Sequence, residues 1–229
     1  MKNIMLVCRK PTRNFWQLGK LSTADENLVL VGWQVSPKPV DGGLPKVVGE
    51  ILAQTMSFFG NVIFLSSDAQ ADEINQWKFS GDEAVRVLRE PNPLKRFAAV
   101  LSGGTEDLKL LSSRNPQTVE SLFDDGLYPW WMQGQIIFLS DPERVLPEID
   151  RPTLLSLFED EWLKQAERLK DLHIKCLLRP GVDGSVAGFL FLTDDFRDNF
   201  LKLLEEKSRA AEFEWRSLSE SDFTAALAT

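Results

Sequence analysis

Few residues in this chain could carry catalytic chemistry. His173 is the only histidine among 229 residues, so any acid–base or nucleophilic scheme built on an imidazole must use it. A multi-histidine zinc site is thereby excluded. His173-x-x-Cys176 supplies two ligands at most, and Cys8 is the only further thiol. The position of His173, at the start of an apolar run and beside Lys175, reads as structural.

Carboxylates offer more. One pattern recurs three times: a buried strand ends in a hydroxyl residue and an acid. Val62–Leu65 runs into Ser66-Ser67-Asp68, Ile136–Leu139 into Ser140-Asp141-Pro142, and Phe189–Leu192 into Thr193-Asp194-Asp195. Side chains of these types accept the unpaired N–H groups at a helix start. Acids there suit the positive end of the helix dipole, and Pro142 fits a first helical position. Helix capping is therefore the primary reading. If the three strands were parallel neighbours, Asp68, Asp141 and Asp194 would meet at one sheet edge. They could then hold Mg²⁺ for phosphoryl chemistry. A small Mg-dependent enzyme of this kind is the alternative function.

Two shorter motifs are weaker. Asp194-Asp195-Phe196-Arg197-Asp198 has the D-D-x-x-D form that binds Mg²⁺-diphosphate on prenyl-synthase helices, but it occurs once, in a strand-rich chain. Leu101-Ser102-Gly103-Gly104-Thr105 resembles the signature loop of ABC ATPases. No G-x-x-x-x-G-K-[ST] phosphate loop accompanies it, and G-x-G-x-x-G is also absent. These gaps predict no cofactor and no metal.

The most unusual local sequence is Asp124-Asp125-Gly126-Leu127-Tyr128-Pro129-Trp130-Trp131-Met132. Aromatics on a loop serve either as plugs into the core or as anchors for a partner, and flanking acids select a basic one. Glu159-Asp160-Glu161 adds a second acidic patch. The candidate partner-binding residues are thus Asp124, Asp125, Tyr128, Trp130, Trp131, Glu159, Asp160 and Glu161.

Charge sharpens this. The chain carries −8. Residues 1–20 hold Lys2, Arg9, Lys10, Arg13 and Lys20 with no acid, so the remaining residues carry −13. Such a body repels phosphate backbones, which disfavours nucleic acid, and steers toward a cationic protein. No apolar run approaches the roughly 20 residues that span a bilayer. The apolar run Ile4–Cys8 is too short for a signal-peptide core, and Met5-Leu6-Val7-Cys8 lacks the apolar region of a lipidation signal. With only two cysteines, the expectation is a reducing, cytoplasmic setting. Residues and charge together predict a non-catalytic acidic binding protein, in its most specific form an immunity or inhibitor protein that neutralises a basic partner. The oligomeric state is left open.

The elements that must position these residues follow from periodicity. Continuous apolar runs predict strands covered on both faces at Ile4–Cys8, Leu28–Val35, Val62–Leu65, Ile136–Leu139, Ile174–Leu178 and Val186–Leu192. Pro180-Gly181-Val182-Asp183-Gly184 predicts a hairpin between the last two. Phe213 and Trp215 alternate with charged residues, as in a half-exposed edge strand. Helical stripes run through Val48-Ile51-Leu52-Met56-Phe59, Leu154-Phe158-Trp162-Ala166-Leu169 and Phe196-Phe200-Leu203-Leu204. The predicted class is α/β, with α+β as the neighbouring reading: a mixed sheet flanked by helices, with a β-hairpin near residues 174–192. The chain reads as one domain over 1–229, with the Pro-punctuated stretch 141–152 as a weak subdivision.

Overall fold

The computed structural model describes residues 3–9, 11, 27–36, 44–66, 84–89, 91–101, 108–124, 136–140, 150–152, 166–180 and 185–228. The described strands are β1 (Ile4–Arg9), β2 (Leu28–Gln34), β3 (Asn61–Ser66), β4 (Ala84–Leu88), β5 (Leu108–Ser113), β6 (Ile136–Ser140), β7 (Cys176–Pro180), β8 (Val186–Phe191) and β9 (Glu214–Leu218). The described helices are α1 (Lys46–Phe59), α2 (Pro93–Leu101), α3 (Pro116–Asp124), α4 (Ala166–Asp171), α5 (Asp194–Ala210) and α6 (Glu220–Leu227). The class is α/β. One mixed nine-stranded sheet has the order β4-β5-β3-β6-β7-β8-β2-β1-β9. Every neighbouring pair is antiparallel except β1 and β9.

The continuous apolar runs are explained by two covers on one sheet. In β1, Met5 and Val7 enter one core while Leu6 and Cys8 enter the other. In β8, Phe189 and Phe191 face the first core, and Val186 and Leu190 the second. This is the two-residue alternation of a strand, with both faces apolar because both are covered. On the first face lie α1, α3 and α5, through Ile51, Leu52, Val119, Phe123, Phe200 and Leu204. Leu169 of α4 and Phe223 of α6 cover the second. Phe59, Phe189, Phe191, Phe196 and Phe200 form an aromatic cluster where α1, β8 and α5 meet, with ring centroids 5.1–6.1 Å apart. Rings at such spacings add cohesion beyond their area.

The hairpin expected near 174–192 is β7–β8, registered from Cys176↔Phe191 to Pro180↔Ala187. The edge strand expected around Phe213 and Trp215 is β9, at one end of the sheet. Two strands, β4 and β5, and three helices, α2, α3 and α6, join the set expected from periodicity. Of the long stripe from Leu154 to Leu169, only its end, in α4, lies within the described residues.

The arrangement required by the Mg²⁺ reading is corrected here. Among the strands leading to Asp68, Asp141 and Asp194, no two are parallel neighbours. β3 and β6 pair antiparallel, with Asn61 opposite Ser140. Their C-terminal ends therefore lie on opposite sides of the sheet, roughly 17 Å apart along the strands at about 3.4 Å per residue. β8 runs in the direction of β6, but β7 separates them. Asp68 and Asp141 themselves lie outside the described residues.

Candidate functional site

Of the partner-binding residues expected from sequence, the structure describes Asp124, the last residue of α3. Asp125, Tyr128, Trp130, Trp131, Glu159, Asp160 and Glu161 lie outside the described residues.

The third acid junction is fully described. Thr193 takes the N-cap position of α5 in extended conformation, and Asp194 and Asp195 occupy the first turn. Thr193 makes no side-chain cap bond. Asp194 and Asp198 instead engage cations. The Arg197 side chain is 13% exposed, and its guanidinium lies 2.9 Å from Asp194 and 3.1 Å from Asp198 and donates to Asn27 Oδ1 at 3.2 Å. From the end of β1, Arg9 reaches Asp198 at 3.1 Å. The Arg197 hydrogen bond, helped by the charges of Arg197 and Arg9, holds the Asp198 carboxyl below its usual range. The D-D-x-x-D segment thus works as a clamp joining α5 to β1 and the start of β2. Two of its three carboxylates, those of Asp194 and Asp198, face guanidinium groups, and Asp195 is exposed.

His173 is exposed and has a positive φ of 57°. Its N–H donates to the Lys170 carbonyl, and the next N–H, of Ile174, donates to the Leu169 carbonyl. Leu169 and Ile174 are both buried in the second core. These bonds define a Schellman cap, whose left-handed residue is normally glycine. The same bonds recur at the end of α5, where Glu212 has φ 63° and Phe213 donates to the Ser208 carbonyl. The structural reading of His173 acquires a specific cause: it turns the chain out of α4 into β7. Cys8 and Cys176 are free and buried. They sit on strands three spacings apart, roughly 14 Å at about 4.8 Å per spacing, which is beyond disulfide reach. Burial raises the Cys176 thiol well above its ordinary value. Burial, with Glu220 nearby, pushes Cys8 up to about 11. Neither has the lowered pKa of a nucleophilic cysteine.

A shallow depression of about 860 Å³ lies between α1 and α3, lined by Gln54, Arg114, Asn115, Pro116 and Gln117. It opens broadly to solvent, unlike the clefts that enclose small ligands.

The feature that sequence reasoning missed is α2. Asn92 caps it, its side chain accepting from the N–H groups of Leu94 and Lys95, and Pro93 takes the first helical position. Asn115-Pro116 starts α3 in the same way, with Asn115 accepting from Gln117. On α2, Leu94, Phe97 and Leu101 are 77%, 64% and 73% exposed. Their i, i+3, i+7 spacing gathers them into one stripe. Lys95 and Arg96 are also exposed, and at about 100° per residue they lie on the opposite face of the helix from the stripe. The Asn-Pro signal followed by that spacing was available in the sequence. The exposure of the stripe was not. Compared with known protein families, curated proteins and solved structures, the chain matches none.

Proposed function

We propose that the chain is a non-catalytic binding protein that holds a basic protein partner, in its most specific form an inhibitor or immunity protein acting in the cytoplasm. The observation that carries this reading is the acid excess on α5, β9 and α6. Residues 194–228 hold nine acids against five bases. Asp194 and Asp198 are engaged by Arg197 and Arg9, but Asp195, Glu206 and Glu212 stand exposed. Fields of this kind accelerate encounter with a cationic surface and weaken with salt. The two buried thiols are consistent with a reducing compartment.

The test is affinity capture from host cells at low and moderate salt. It compares the protein with a variant carrying Asp195→Lys, Glu206→Lys and Glu212→Lys. The expected result is a stoichiometric basic protein whose association rate falls at least about tenfold in the variant and at higher salt. Capture of no stoichiometric partner, or of one indifferent to both changes, would sink the reading.

A further inference from the structure

We infer that β9 is a dimerisation edge: two copies of the chain pair antiparallel through it about a two-fold axis at Trp215, with Glu214 of each copy opposite Arg216 of the other. β9 ends the sheet, and among the described residues no strand pairs with its outer side. One bond fixes the direction of its main-chain groups. Glu214 N–H donates to the Asn3 carbonyl, and along a parallel ladder alternate residues of a strand bond to the same neighbour. Glu214, Arg216 and Leu218 therefore turn their main-chain groups toward β1, and those of Trp215 and Ser217 point outward. Such a row of outward donors and acceptors is a template for a further strand.

Register and charge select the occupant. In an antiparallel pair of two copies, outward residues must meet outward residues, so the two-fold axis passes through a residue. An axis on Glu214 sets that acid against its own copy. An axis on Arg216 sets Arg216 against Arg216 and Glu212 against Glu220. Like charges directly opposite are destabilising. An axis on Ser217 or Leu218 runs the second copy into the start of α6 at Glu220. The axis on Trp215 avoids all of these. Glu214 and Arg216, which lie 2.8 Å apart within one strand and are both partly exposed, then each gain an opposite charge from the copy. They do so twice, at the pairs whose Cα atoms approach to about 4.5 Å. Glu212 and Glu220 fall opposite Leu218 and Ala210. Trp215, half-buried against the first core, meets Trp215 of the copy, and cross-strand aromatic pairs stabilise a sheet.

The test follows the mass of the purified full chain by analytical ultracentrifugation over a range of concentrations, in salt of about 0.15 M, which screens the like net charge of two copies beyond about 8 Å. The expected result is a concentration-dependent species of twice the chain's mass, with the Trp215 and Ser217 amides gaining hydrogen-exchange protection as it forms. Glu214→Arg and Arg216→Glu, each alone, set like charges against each other at both pairs and weaken the dimer by about tenfold or more. An equimolar mixture of the two variants restores it as a heterodimer, because each chain then meets the opposite charge in its partner. The bond between positions 214 and 216 within each strand stays broken in that mixture, so recovery reports the contact between copies. A chain that stays monomeric would overturn the inference, as would a dimer that leaves the exchange of Trp215 and Ser217 unchanged. Single variants that associate as tightly as the parent, or a mixture that does not recover, would overturn the pairing of Glu214 with Arg216.

Discussion

At the scale of single residues, the lone histidine shows how a chemically conspicuous side chain can hold a backbone role. His173 occupies the left-handed position of the cap after α4, where a side chain costs roughly 1 kcal/mol that glycine avoids. Glycine also loses more chain entropy on folding. The balance predicts that His173→Gly stabilises the protein by about 0.5 kcal/mol, raising Tm by roughly 1–2 °C for a chain of this size. His173→Val is expected to lower Tm by several degrees, because a β-branched residue resists positive φ. Thermal melts of the two variants, monitored by circular dichroism, check both signs. The acids of α5 make the same point. The sequence displayed the spacing Asp194-x-x-x-Asp198 and the Arg197 between them, but the second cation on Asp198, Arg9, lies 189 residues away. No local pattern reports such a contact.

At the scale of elements, glycine spacing is the sharpest constraint. A Cβ on Gly32 of β2 would lie 3.0 Å from both Leu227 and Phe223 of α6. The helix therefore rests directly on the strand backbone. Gly32→Ala asks those flexible tips to give by a few tenths of an ångström. Gly32→Val is an overpacking change, expected to cost about 1–3 kcal/mol and to speed hydrogen exchange selectively in α6. Unchanged α6 protection in Gly32→Val would refute this account of its docking. Elements were legible in the sequence where they are buried on two faces, as in β1, β2, β3, β7 and β8, since both layers demand apolar side chains. They were less legible where the element is short and partly polar. β5 reads Leu-Lys-Leu-Leu-Ser-Ser and α2 begins Pro-Leu-Lys-Arg, and neither sustains a period long enough to stand out. Strand direction was not legible at all. A run covered on both faces has the same composition whether its neighbours are parallel or antiparallel, so the three junction acids could be written on one edge although β3 and β6 run oppositely.

At the scale of the molecule, the charge and apolar features divide between the two ends of one sheet. The acid-rich α5, β9 and α6 lie toward one edge, and β4 with the basic, apolar-striped α2 at the other. Eight strand spacings separate β4 from β9, roughly 38 Å at about 4.8 Å each.

The parallel pair β1–β9 carries a consequence for biosynthesis. Ile4 is opposite Glu214, so β1 must wait for a strand made about 210 residues later. At about 5–20 residues per second the wait on the ribosome is roughly 10–40 s. Throughout it, β1 presents an unpaired edge with Met5, Leu6, Val7 and Cys8, all buried in the finished fold. A chain truncated after residue 211 would keep that edge open permanently. It is expected to accumulate in inclusion bodies or to be recovered with holding chaperones, whereas the full chain is recovered free. Fractionating the two after expression, and finding the truncated chain monodisperse and chaperone-free, would show that β9 is dispensable for protecting the nascent edge.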